Sequence, residues 1–180
     1  MRIIGIDPGT NKMGYGVLET KGRSAKVVAM GYIDLSKFAD PYAKLAHIFS
    51  RVSGLIEEYE PEEMALEAPF YGENVQSMLK LGRAQGVAMA AALSRQVDVF
   101  EYAPRKIKIA ITGTGTASKE QVSNMLQRIF SLKEMPKNLD ASDGLAVALC
   151  HHYRKTNPLF SAEKSSWDDF VAKNPDKVLF

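Results

Sequence analysis

The stretch IIGIDPGTNKMGYGVL, residues 3–18, sets an apolar run before one carboxylate, then Pro-Gly-Thr, then a second apolar run. Residues 2–6 read as a buried strand and Gly14 to Leu18 as its neighbour. A connection as short as Pro8 to Lys12 returns the chain antiparallel. A third strand follows from Ala25 to Leu35, after a second short break at Lys21 to Ser24. The chain therefore begins as a three-stranded meander, with Asp7 at the end of its first strand.

Beyond the meander the hydrophobic period changes. Asp40-Pro41 has the chemistry of a helix start, an Asp cap followed by Pro at the first helical position. Leu45, Ile48, Phe49, Val52, Leu55, Ile56 and Tyr59 recur at intervals of three and four, so one helical face is predicted to pack on the sheet, and Pro61 ends the run. Met64 to Glu67 reads as a fourth strand, 74–94 as an Ala- and Gly-rich helix, and Val97 to Tyr102 as a fifth strand. Pro104 opens another helix, Gly113-Thr114-Gly115-Thr116 reads as a flexible break, and Ser118-Lys119-Glu120-Gln121 is a capping box. A last core helix is expected from about Asp140 to Lys155. Strands first in a meander and then alternating with helices imply an α/β fold, a five-stranded mixed sheet with helices on both faces. Residues 1–156 read as one domain, and 157–180 as a polar, partly disordered C-terminal tail with Trp167 and Phe170 as isolated anchors.

The 180 residues suffice for one sizeable core, and a hydrophobic share of 46% argues against disorder as the default. Apolar runs such as Val87 to Leu93 are far short of a membrane span, and the N-terminus lacks a signal-peptide pattern. Cys150 is the sole cysteine, so no internal disulfide can form. A cytoplasmic protein with no membrane partner is the simplest reading. The net charge of +2 decides nothing about nucleic acid, but its distribution is uneven. Residues 57–67 hold six Glu and no Lys or Arg, whereas 101–137 carry a net +4. A basic stretch is ordinarily a solvated face; it gains meaning beside an acidic site.

Such a site is readable. Asp7 ends strand one and Glu67 ends strand four, and the ends of adjacent strands can lie close together. Asp140 and Asp143, three apart, share a face in the first turn of the last helix, where the dipole favours the ionised state. Singly, each has an ordinary explanation: a turn residue, a surface ion pair, N-terminal helix acids. Two chemical readings of Asp7 compete. Asp7-Pro8-Gly9-Thr10 resembles the phosphate turn of an actin-like ATPase or sugar kinase, and Asp7 also suits the first ligand of a metal-dependent nuclease. The ATPase needs a second phosphate loop and a repeated half, and neither is found. Clustered carboxylates repel one another and call for a cation, and an all-oxygen donor set suits Mg²⁺ or Mn²⁺. Two such ions would activate water and stabilise the leaving oxygen of a phosphodiester. The sole Cys and His47, His151 and His152 make no zinc spacing, and neither a Walker lysine loop nor a serine elbow occurs.

The motifs GIDPGT…GYGV, LEAPF, LKLGRAQGVAMAAA, VFEYAPRKIK, GTGTASKEQV and LDASDGLAVALCH resemble, in order and spacing, those of RuvC-type crossover junction endodeoxyribonucleases over residues 2 to about 155. The resemblance implies a ribonuclease H-like fold and a homodimer. It also implies resolution of Holliday junctions during DNA recombination and repair by paired symmetric nicks, dependent on Mg²⁺, with two ions per subunit and Mn²⁺ as a substitute. Hydrolysis by metal-activated water would leave 5′-phosphate and 3′-hydroxyl ends. Asp7, Glu67, Asp140 and Asp143 match the catalytic metal ligands, the last at a position that varies between acid and histidine. Phe70 is either a core aromatic or an exposed ring that stacks on an unpaired base near the crossover, with Tyr71 assisting. Lys108 and Lys119 match basic positions that bind phosphate or stabilise transition-state charge, against the usual fate of a solvated lysine. Arg105 and Lys106 are further candidates for DNA contact. A branch-migration motor of the RuvA and RuvB type is an implied partner. The alternatives are another ribonuclease H-like nuclease acting on RNA or simple duplexes, the actin-like phosphotransferase or ATPase, and a non-catalytic junction-binding module.

Overall fold

The computed structural model describes residues 1–69, 74–136 and 138–157. Three strands, β1 (Arg2–Asp7), β2 (Lys12–Lys21) and β3 (Ser24–Asp34), form the expected antiparallel meander. Helix α1 (Pro41–Tyr59) leads to β4 (Glu63–Glu67), and α2 (Val75–Leu93) leads to β5 (Asp98–Tyr102). Both β4 and β5 run parallel to β1, giving a mixed sheet in the order β3-β2-β1-β4-β5. Helices α3 (Pro104–Thr112), α4 (Lys119–Ile129) and α5 (Asp140–Thr156) complete the described chain. This is the five-stranded ribonuclease H-like arrangement.

The helix starts obey local chemistry. Asp40 Oδ2 accepts from the Ala43 amide at 2.8 Å, with Pro41 in the first turn. Ser118 and Gln121 close the capping box of α4 in both directions. The strand ends differ from the sequence reading: β2 begins at Lys12 and runs to Lys21, because its ladder with β3 extends over residues that local composition marks as connection.

Two cores flank the sheet. On one face Ile48, Val52, Leu55 and Ile56 of α1 meet Ile4, Ile6, Met13, Val17 and Leu66 with the alanines of α2. Phe49, expected on the packed face of α1, is 41% exposed instead. On the other face Leu145, Val147, Ala148 and Leu149 of α5 pack with Ile3, Leu18, Ile107, Val122 and Leu126. Helix α5 is enclosed on nearly all sides from Ala141 to His152. It lies so close to the meander that a Cβ on Gly14 would stand 2.0 Å from the Asp140 carbonyl oxygen. A Cβ on Gly144 would stand 2.4 Å from the Tyr15 Cα. Only hydrogen at these two positions permits the contact.

His151 and His152 are structural. His151 is buried, and its Nε2–H donates to Glu63 Oε2 at 2.8 Å while Nδ1 accepts from the Tyr102 hydroxyl at 2.6 Å. Lys155 pairs with the other oxygen of Glu63. Burial works to raise the Glu63 pKa, but hydrogen bonds from Lys155 and His151 outweigh it and hold the group below its ordinary value. His152 Nε2 donates to the Arg23 carbonyl at 3.1 Å. Cys150 is buried and its thiol is pushed up to about 12, chiefly by desolvation, which leaves it unreactive. Among the described residues no helix is long and apolar enough to cross a membrane.

Candidate active site

The parallel register of β1 and β4 places the first two carboxylates. Ile6 pairs with Leu66, so the next residue on each strand, Asp7 and Glu67, leaves the sheet at the same end. Helix α5, seated on β1 and β2, brings Asp140 and Asp143 of its first turn to that end. The Asn138 side chain accepts from the Asp140 amide at 3.1 Å and ties down the start of the helix. All four acids line one cleft of about 910 Å³, together with Lys12, Arg105, Lys108, Gly115, Thr116 and Lys119.

The electrostatics follow from crowding. Asp7 has its pKa raised well above the ordinary carboxylate range, first by burial and then by the charges of Glu67 and Asp143. Glu67 is pushed up to about 7, again by burial first and by Asp143 second. Asp143 is raised by burial, against a hydrogen bond from Lys119 that favours its charge. The Lys119 ammonium stands between the acids of α5, bonded to Asp143 and 3.8 Å from Asp140 Oδ1. Its own pKa is raised: burial opposes the charge, but the Asp143 hydrogen bond and the surrounding carboxylates outweigh it. Among the described residues no three His, Cys, Asp or Glu side chains stand, as they lie, close enough together to hold a metal ion. The donor set nonetheless fits a hard divalent cation, because the carboxylates are oxygen-only, mutually repelling and partly desolvated. A cation entering there would take over the neutralising role that Lys119 fills.

Each expected basic residue can now be placed. Lys108 on α3 and Lys119 on α4 line the cleft with the acids. Arg105 joins them, its aliphatic stem lying over Gly115, where a Cβ would meet Arg105 Cγ at 2.5 Å. Lys106 is exposed and does not line the cleft. Phe70 and Tyr71 lie outside the described residues. Sequence reasoning missed Lys12 and the Gly115-Thr116 turn, both cleft residues. It also missed Lys44 of α1, whose Nζ donates to the Thr10 carbonyl at 3.0 Å and pins the turn after Asp7. The spacing of Arg105 and Gly115 from Lys108 and Lys119 was the available signal for the turn; nothing local marks Lys12 or Lys44.

The chain resembles known proteins over most of its length. The family model described as crossover junction endodeoxyribonuclease RuvC matches residues 3–151. A protein of that name from Bacteroides fragilis is 60% identical over 178 residues, covering 98% of this chain and 95% of its own length. Another from Porphyromonas gingivalis is 55% identical over 181 residues, with 98% and 96% covered. The solved structure of T. thermophilus RuvC in complex with Holliday junction substrate superposes with a TM-score of 0.80 at 32% identity, covering 87% of this chain and 95% of that one. The yeast mitochondrial Holliday junction resolvase Ydc2 shares the fold, with a TM-score of 0.63 at 12% identity over 95% and 83% of the two chains. A family model matched over residues 3–151, with relatives of that name 55–60% identical over almost the whole chain, makes the chain a member of the RuvC family of crossover junction endodeoxyribonucleases.

Proposed function

We propose that this chain resolves Holliday junctions by paired symmetric nicks in DNA recombination and repair. The observation that carries the reading is the meeting of Asp7, Glu67, Asp140 and Asp143 in a cleft walled by Lys108, Lys119 and Arg105. Acids to hold a cation and bases to hold phosphate, in one cleft, are what phosphodiester hydrolysis requires of a protein that uses no nucleophile of its own. Asp7, Glu67 and Asp140 are the core cation ligands and Asp143 assists them. Mg²⁺ is the cation, two per subunit, with Mn²⁺ as substitute; when bound it activates water and neutralises the leaving oxygen. Lys108, Lys119 and Arg105 hold the phosphates on either side of the scissile bond. Phe70, with Tyr71, stacks on a base at the crossover.

A junction has two strands to cut, and one site per chain cuts one of them, so the working form is a two-fold homodimer. Gly82, Gly86 and Ala90 are exposed along α2, flanked by exposed Leu79 and Leu93, and a Cβ on either glycine meets nothing within 4 Å. That smooth face is the proposed dimer contact. A motor of the RuvA and RuvB type delivers the junction, and the reaction takes place in the cytoplasm.

The deciding experiment incubates the protein and Mg²⁺ with labelled four-way junction, duplex DNA, RNA–DNA hybrid and ATP in parallel. Symmetric nicks confined to the junction are expected. Cutting of hybrid or duplex at a similar rate, or ATP turnover, would overturn the reading.

A further inference from the structure

Gln85 lies on α2, outside the acidic cleft, and is 5% exposed. Its Nε2 donates to Glu101 Oε1 at 2.6 Å and, more weakly, to the backbone carbonyl of Glu67 at 3.4 Å. Both partners are pure acceptors, so the orientation of the amide is fixed: its NH₂ faces them. A buried amide on an otherwise Ala-rich face is an unexpected choice, since an alanine or leucine would pack there without desolvation cost.

The place of the bond explains it. The ladder between β1 and β4 ends at Ile6 and Leu66, so Glu67 has no ladder partner on the β1 side. On its other side it pairs with Tyr102, and the Ala68 amide donates to the Tyr102 carbonyl at 2.9 Å. Glu67 is thus held along one edge only, although it carries a cleft carboxylate whose ionised form is disfavoured by burial. Rotation of its peptide would swing that carboxylate away from Asp7. Gln85 supplies the missing restraint from α2, and Glu101 anchors Gln85 from the neighbouring strand.

We infer that Gln85, anchored by Glu101, is a positioning residue that fixes the Glu67 peptide and thereby the aim of its carboxylate in the cation site. The inference rests on the proposed reading of the cleft. Side-chain ligands fixed by surrounding hydrogen bonds commonly lose 10- to 100-fold in affinity or activity when those bonds are removed.

The test uses Gln85→Met, which keeps length and apolar stem but removes the donor, and Glu101→Ala, which removes the anchor from an exposed position. Calorimetric titration with Mn²⁺ in the absence of DNA should show affinity weakened about tenfold in each. The Mg²⁺ concentration for half-maximal junction cleavage should rise in parallel. Junction affinity without divalent cation should stay within twofold of the parent. The double variant should lose no more than either single one, since both break one chain of contacts. Glu101→Gln keeps an acceptor and should recover most of what Glu101→Ala loses. A variant that lowers the urea midpoint but leaves Mn²⁺ affinity and the Mg²⁺ midpoint unchanged would overturn the inference, as would losses that multiply in the double variant. Should Gln85→Met fail to fold, Glu101→Ala and its Gln rescue decide the matter alone. A parent protein that binds Mn²⁺ but does not cut junctions would defeat the reading of the cleft and leave the clamp standing.

Discussion

Glu67 shows what a buried, crowded carboxylate costs its fold. Held near 7 instead of its ordinary 4.5, it binds its proton more tightly folded than unfolded. Stability contributed by that proton is full below about 4.5 and is lost as pH rises through about 7. Glu67→Gln removes the penalty. Without divalent cation it should therefore raise the urea-derived stability at pH 8, by up to about 3 kcal/mol, with the gain shrinking toward pH 5. Junction cleavage in Mg²⁺ should collapse in the same protein while binding survives. Near-parental cutting, or a gain independent of pH, would remove Glu67 from the site. Lys119 gives a complementary reading, because it lines the cleft and touches the acids of α5. Lys119→Ala should reduce the slope of log affinity against log salt by about one if it touches a phosphate. An unchanged slope would confine it to the acidic cluster. Glu67 was legible because an acid at a strand end has a local signature, whereas Lys119 was singled out only through the resemblance of its motif. Gln85, Lys12 and Lys44 were not legible, since their roles depend on partners far away in the chain.

Among the elements, α5 bears most directly on the chemistry. Its acids reach Asp7 only because the helix descends onto β2 where two glycines remove the obstacle. Gly144→Ala should cost about 1–3 kcal/mol by overpacking. The shift of Asp140 and Asp143 should cut the cleavage rate more than tenfold. Chemical denaturation alongside single-turnover nicking checks both; a destabilised variant with an unaltered rate would show that the acids tolerate displacement. The elements themselves were well marked in the sequence: caps at Asp40 and Ser118, prolines at 41 and 104, and the change from strand to helical period. Strand limits were less so, because β2 is lengthened by its pairing with β3 and not by its own composition. Phe49 was misplaced for a related reason: periodicity shows which residues share a face, not how wide a stripe the neighbouring helix covers.

For the whole molecule, the sheet order was only partly implied. The meander fixes β1 to β3, but nothing local places β4 against β1; the right-handed preference of parallel crossovers and the need to bury both faces do so. The pairing of chains is the remaining large-scale question. Gly86→Leu adds bulk to an open helix face and should leave the fold intact while shifting sedimentation from dimer to monomer. Paired nicks should then give way to single, uncoordinated ones. A dimer that persists with normal paired nicking would move the interface elsewhere.

The closeness of α5 to the first two strands also sets an order of events during synthesis. Asp7 leaves the ribosome well ahead of Asp140 and Asp143, which follow only after the sheet and four helices have been made. Until they arrive, the face of β1 and β2 that α5 covers stays open, and the strand ends carry two acids without their companions. Among the described elements α5 is the last to be made, so a growing chain brings its four acids together only when the helix that closes the second core has been laid down.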